Sequence, residues 1–137
     1  MPRGFRLNNP CNLRQGQGRF IGEYDKSRDN EFRQFRTMYY GMRAALHLLM
    51  KTYYHLHHLR TIKEIIHRWA PPEENNTSAY VKFISKKTGV GENDIIPNKP
   101  EFWVDFLDAM IQMENGEKID RVFIKYVVDV NFQLFRC

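Results

Sequence analysis

The sequence is poor in cysteine and contains no long apolar run. Its two cysteines, Cys11 and Cys137, have no metal-ligand spacing, so we expect two free thiols. No apolar stretch is long enough to cross a bilayer, and the first residues lack the apolar segment of a secretory signal. We therefore expect synthesis in the cytoplasm without a signal peptide, and no insertion into a membrane.

Several motifs that carry well-known chemistry are also missing. There is no glycine-rich phosphate loop, no nucleophile elbow and no zinc finger. His55, His57 and His58 stand close together in "HLHHLR", but only His55 and His58 share a helical face. No carboxylate or cysteine lies at a companion spacing. We expect no metal site and no cofactor.

The charge balance favours a negatively charged partner. The chain has 21 Lys and Arg against 16 Asp and Glu, a net charge of +5, which suits nucleic acid, an acidic membrane face or a charged wall polymer. Because the basic residues are spread out and no reader motif appears, nucleic acid is the least favoured of these. A length of 137 residues with 42% hydrophobic content predicts one domain over 1–137 with its own core.

Helical periodicity dominates the chain after about residue 36. Thr61 and Glu64 form a capping-box pattern, Asn76 or Thr77 can cap the next helix, and Pro100 can open another. Residues 120–135 also repeat apolar side chains at helical spacing, although their β-branched content leaves a strand open. The predicted apolar faces comprise Met42, Ala45, Leu46, Leu49 and Tyr53; Phe102, Trp103, Phe106, Leu107, Met110 and Ile111; and Val122, Phe123, Tyr126, Val127, Val130 and Leu134.

The first 35 residues are different, because their Asn-Pro pair and glycines favour turns over helix. The segment "IGEYDKSRDNEFRQF" alternates aromatic and charged residues, which is typical of a polar loop or a short β-hairpin. It also contains Glu23, Asp25, Asp29 and Glu31. Any of these carboxylates could act together with Glu114, discussed next, as the pair of acids that cleavage of a glycosidic bond commonly uses. The predicted fold is mainly α, with an irregular N-terminal segment and a short hairpin.

Glu114 stands out because a helix ends on it. The negative end of the helix dipole disfavours an ionised carboxylate, and apolar neighbours would add desolvation. A carboxyl group kept protonated is what a general acid needs. The alternative is an exposed side chain at a frayed helix end, held by Lys118.

The run "RWAPPEENNTSAY" combines amides, hydroxyls and aromatic rings. Asn75, Asn76 and Thr77 beside Tyr80 suit sugar recognition, in which hydroxyl groups need partners and ring faces need stacking. The alternative is that Asn76 and Thr77 only cap a helix and that Trp69 fills the core.

These segments, in this order, resemble a phage and prophage family. "RGFRLNNPCNLR", "GRFIGE", "FRQFRTMYYGMRAAL", "TIKEIIHRWAPPEENNTSAYV" and "AMIQMENG" are similar to members labelled structural protein P5-like or virion protein, many of them in Bacteroides genomes and their phages. The resemblance covers nearly the whole chain. It implies other virion proteins as partners.

A second resemblance, to a group of enzymes, implies a catalytic reaction. "NNPCNLR", "RFIGE" and "EFRQF" are similar in order to segments of bacterial glucosaminidases and lysozyme-like transglycosylases, in which a preceding helix ends on a catalytic Glu. Here the helix that ends on Glu114 lies near the other end of the chain instead. The resemblance implies a small lysozyme-like domain in circularly permuted order, provided that the two ends of the chain lie close together.

This resemblance assigns roles to particular residues. Glu114 is implied as the general acid and Glu23 as the second carboxylate. Glu74, Asn75, Thr77 and Tyr80 are implied to bind glycan strands of peptidoglycan, and Asn8, Asn9 and Asn12 to fix the facing loop. The expected function is a muramidase or lytic transglycosylase that acts on the cell wall or as part of a virion. The alternative is a non-catalytic virion structural or wall-binding module.

Overall fold

The computed structural model describes residues 1–73 and 75–137, and their structure is mainly helical, as predicted. None of the described helices is both long and apolar enough to span a membrane. The helices are α1 (Arg3–Arg6), α2 (Met38–Leu46), which continues as a π-helical segment (His47–Leu56), α3 (Ile62–Trp69), α4 (Thr77–Thr88), α5 (Pro100–Asn115) and α6 (Arg121–Phe135).

The helices begin and end at the capping residues that the sequence indicates. Thr61 and Glu64 form a reciprocal capping box at α3, and the Asn76 side chain accepts the Ala79 N–H at the start of α4. Gly116 adopts the left-handed conformation after the end of α5 (φ 70°), which only a residue without a Cβ adopts readily. These local signals fix where Glu114 stands, in the last turn of α5.

Helix α5 is the centre of the core. Its predicted face, from Phe102 to Ile111, is buried, and the neighbouring residues Val104, Asp108 and Ala109 are buried as well. Helices α4 and α6 both pack against it, and Trp103 and Phe106 lie fully inside with ring centroids 5.6 Å apart. A helix covered on nearly all sides is held rigidly, so its last turn has a fixed position.

The π-helical segment changes which side chains face the core. The sequence predicts Tyr53 as part of the buried face, but Tyr54 is buried and Tyr53 is half-buried at a groove. A π-helix pairs each N–H with the carbonyl five residues back, as His57 N–H does with Thr52, so the apolar stripe drifts away from α-helical spacing.

Helix α6 confirms the predicted helix but not its predicted face. Its core side is formed by Ile124, Val127, Val128, Asn131, Phe132 and Phe135. Four residues of the predicted face instead form an outward ridge, which we call the α6 ridge: Val122, Tyr126, Val130 and Leu134, which are 75, 56, 52 and 60% exposed. Both sets have helical spacing, so periodicity alone could not choose between them.

Residues 13–36, which we call the N-terminal arm, cover one end of the helical body, by which we mean the helices from α2 to α6. The predicted hairpin is reduced to two isolated bridges, Arg14 with Phe32 and Glu23 with Phe35. Cys11, just before the arm, and Cys137 are free thiols, as expected.

His47 links the arm to α6 and should make stability pH-dependent. Its ring meets Phe20 and Phe135 edge-on, at centroid distances of 5.8 and 5.0 Å. Burial, and after it the charges of Arg43 and Lys51, lower the pKa of His47. The unfolded state then binds more protons, so stability is complete above about pH 6.5 and falls as the pH decreases through the lowered pKa.

We expect the melting temperature of the wild-type protein to decrease between about pH 6.5 and 5, and to decrease less in His47→Phe, which keeps a ring but cannot be protonated. Thermal unfolding followed by circular dichroism at several pH values measures this. Identical pH slopes for the two proteins would show that His47 does not contribute.

Candidate functional site

An open groove separates the N-terminal arm from the helical body. Its cavity has a volume of about 530 Å³. The arm and the loop before it contribute Asn12, Arg14, Gln17, Phe20, Phe32 and Arg33, and the helical body contributes Leu48, Tyr53, Trp69, Asn75 and Glu114.

The carboxyl group of Glu114 lies in this groove and accepts three side-chain hydrogen bonds. The Tyr80 hydroxyl donates to Oε2 at 2.9 Å and the Trp69 indole N–H donates to the same oxygen at 3.4 Å. Asn12 Nδ2 donates to Oε1 at 3.0 Å. Lys118 instead lies beside Asp108, so the alternative of a Glu114 side chain held by Lys118 does not occur.

The loop that follows α1 is fastened to the end of α5, which brings distant parts of the sequence together. Asn115 Nδ2 donates to the Pro10 carbonyl at 2.7 Å, and Asn12 Nδ2 also lies 3.4 Å from the backbone carbonyl of Glu114. Asn8 and Asn12 both have positive φ values, 53° and 54°, a conformation that Asn tolerates better than most residues. Local backbone shape therefore aims Asn12 at Glu114.

Asn8 and Asn9 hold the arm rather than face the groove. Asn8 Nδ2 donates to the carbonyls of Phe35 and Arg36. Asn9 is fully buried, donates to the carbonyls of Leu13 and Arg33, and accepts the Leu13 N–H. These bonds join the loop after α1 to the arm, and the role implied for Asn8 and Asn9 beside a glycan stays a prediction.

Glu23, the proposed second acid, is placed elsewhere. Its Oε1 accepts from Arg33 Nη1 at 2.6 Å and from the Phe20 N–H at 3.0 Å, and only 9% of its side chain is exposed. It lines a different cavity, whereas its partner Arg33 lines the groove. The structure therefore does not bring Glu23 and Glu114 together in the described groove.

The residues proposed to bind glycan have different positions. Asn75 lines the groove and donates to the Pro71 carbonyl. Thr77 is buried and its hydroxyl donates to the Ala70 carbonyl, so it joins α4 to α3 instead of facing the groove. Tyr80 is buried behind Glu114 and contacts its carboxyl group. Glu74 lies outside the described residues.

Sequence reasoning did not select three residues that shape the groove. The sequence leaves open whether Trp69 fills the core; it is half-buried, packs partly against the core and contacts Glu114. Tyr53 was placed on the core face, and Arg33 was not singled out. The available signal for Trp69 was its position immediately before "APP", where a helix must end and its last side chains reach a surface.

Burial is the main cause of the pKa shifts of the two groups next to Glu114, Tyr80 and Cys11. It raises the pKa of Tyr80 well above its usual value, and the nearby negative charge of Glu114 raises it further. The same two causes, in the same order, raise the pKa of the Cys11 thiol. Both groups therefore stay protonated at neutral pH, and Tyr80 is a hydrogen-bond donor to the carboxylate.

The chain was compared with known proteins. No family model matches it. It is 39% identical over 117 residues to Protein P5 of Pseudoalteromonas phage PM2, a match that spans 83% of the chain and 71% of Protein P5. The chain belongs to the phage P5 family. A P5-family chain is a phage-related protein, so the family expected from the sequence is confirmed.

Proposed function

We propose that this P5-family protein is a peptidoglycan glycosidase, a muramidase or lytic transglycosylase, in which Glu114 is the general acid. The observation that carries the proposal is the position of Glu114: a half-buried carboxyl group in an open groove between the aromatic rings of Trp69 and Tyr53 and the polar arm. Aromatic faces and convergent polar groups beside one carboxyl group suit a sugar polymer.

The surroundings of Glu114 fit a residue that changes its charge during a reaction. After the proton passes to the glycosidic oxygen, the donors from Tyr80, Trp69 and Asn12 stabilise the carboxylate that is left. The three donors thus accommodate the charge that cleavage leaves on Glu114.

The second half of the reaction uses the same carboxyl group. The carboxylate of Glu114 takes a proton from an attacking water, or from a hydroxyl group of the same sugar, as the new C–O bond forms. Glu23 would have to leave Arg33 to act on this step. We therefore propose that Glu23 supports the groove wall by holding Arg33, and that it is not the second acid.

The groove also offers contacts beyond the reacting bond. Phe20 and Phe32 on the arm also line the cavity, and Arg14 adds a cation. The net charge of +5 would increase the rate of encounter with an anionic wall.

Purified peptidoglycan sacculi provide the test. The protein should release soluble muropeptides, which mass spectrometry can identify. Attack by water gives reducing ends, whereas attack by the sugar's own hydroxyl gives anhydro ends that are lighter by one water molecule. Sacculi that bind the protein but release nothing would reject the glycosidase and favour a wall-binding module.

A second candidate function, a structural role in the virion, is favoured by the α6 ridge. Four apolar side chains at i, i+4 spacing stand more than half exposed on one helix face, a pattern that suits packing against another protein.

We expect Val130→Asp to reduce incorporation of the protein into phage particles, because it places a charge in the centre of the ridge. Lys125→Gln on the same helix is the matched control, since it changes the net charge by the same amount and Lys125 is an exposed residue on a different face of α6 from the ridge. Quantitative mass spectrometry of purified particles measures this. Equal incorporation of the two variants would exclude the α6 ridge as a virion contact.

A further inference from the structure

Two buried amide oxygens beside Glu114 have no hydrogen-bond partner among the described residues. They are Oδ1 of Asn12 and Oδ1 of Asn115. Both approach the backbone at Gly4, where a Cβ atom would lie 2.6 Å from the first and 2.7 Å from the second. Two hydrogen-bond acceptors therefore lie close to the Gly4 backbone, and neither receives a hydrogen bond from the described residues.

Glu114 explains why the Asn12 amide is turned this way. Asn12 Nδ2 donates to Oε1 of Glu114, and an ionised carboxylate can only accept. A protonated carboxyl group has an O–H that needs an acceptor. A half-turn of the Asn12 amide would present Oδ1 to that O–H and would move Nδ2 to the side near Gly4, where Asn115 Oδ1 also lies. It would give up the 3.4 Å contact of Nδ2 with the backbone carbonyl of Glu114.

We propose that Asn12 is a positioning residue whose side-chain amide reverses when Glu114 gains or loses its proton. The two orientations hold the carboxyl group in the same place in both protonation states. The Tyr80 hydroxyl can likewise donate or accept, whereas the Trp69 indole only donates. The inference rests on the proposed function for its catalytic consequence, but the reversal is a property of the free protein.

Other titratable groups around Glu114 do not account for such a change. Tyr80 on α4, Cys11 before the arm and Tyr53 on the π-helical segment each have a raised pKa, mainly because of burial. The arm contributes Arg14 and Arg33, and arginine stays charged. Between about pH 3 and 8 none of these five groups changes its charge. His47, which packs against Phe20 of the groove, does, so the pH series is also recorded in His47→Phe, where a reversal of the amide reports Glu114.

Nuclear magnetic resonance of the ¹⁵N-labelled protein tests the proposal. At about pH 8 the Asn12 side-chain NH₂ should show contacts to the Trp69 indole and Glu114. As the pH decreases, these contacts should be lost and contacts to Gly4 and Asn115 gained. The Asn8 side-chain amide, bonded to the carbonyls of Phe35 and Arg36, is the internal control and should not change.

A variant makes the test independent of pH. In Glu114→Gln the new amide can donate to Asn12 Oδ1, so the reversed orientation should be present at neutral pH. Unchanged Asn12 contacts in Glu114→Gln, or across the pH range in the wild-type protein, would overturn the proposal. A reversal in a protein that releases no muropeptides would leave this inference standing and reject the glycosidase.

Discussion

Replacement of Glu114 by Gln should lower muropeptide release by about 10²- to 10⁴-fold, the usual contribution of general acid–base catalysis. Gln has nearly the same shape and can still accept hydrogen bonds from Tyr80 and Trp69. It has no proton to give to a leaving oxygen. The expected loss is therefore chemical, and the fold should be retained.

A neighbouring acid provides the matched control for this experiment. Glu117 stands three residues later in the chain, is exposed, and does not line the groove as described. Glu117→Gln removes the same charge and should leave muropeptide release unchanged. Wild-type activity in Glu114→Gln, with both variants folded by circular dichroism, would refute the catalytic role of Glu114.

Replacement of Glu23 by Gln should have the largest effect on stability. The Glu23–Arg33 pair is nearly buried, with side chains 9 and 8% exposed. Removal of one charge leaves the guanidinium of Arg33 in a poorly hydrated place, and breaking a buried pair typically costs about 3–5 kcal/mol. Urea denaturation of the two proteins measures the difference in the free energy of unfolding.

Glu31 is the control for Glu23, because it pairs with Arg3 and Arg14 at the surface. Glu31→Gln should change the free energy of unfolding by less than about 1 kcal/mol, since water screens exposed pairs. If Glu23→Gln is as stable as the wild-type protein but releases no muropeptides, Glu23 is catalytic and the supporting role proposed for it is wrong.

Much of the helical framework could be predicted because its signals are local. The Thr61–Glu64 box, the Asn76 cap and the glycine after α5 each act within four residues, and the structure has all three. The buried face of α5 was also predicted correctly, because one strongly apolar stripe left no competing choice.

The predictions that were wrong concern which side chains face the core, at places where two neighbouring sets of residues fit a helical spacing equally well. Helix α6 has two apolar stripes, and only contact with α5 and α2 decides that Val127 turns inward and Val130 outward. Tyr53 and Tyr54 differ by one residue, and the π-helical hydrogen bonds, which depend on the surrounding packing, decide which of them is buried.

The sequence by itself determined the helices, their ends and the place of Glu114 in the last turn of α5, because these depend on hydrogen bonds and dipoles within a few residues. Only the tertiary structure decided the neighbours of that carboxyl group. Asn12 and Glu114 are 102 positions apart, and no periodicity relates residues so distant along a chain. Burial of the core brings them together, and the same packing directs Glu23 to Arg33.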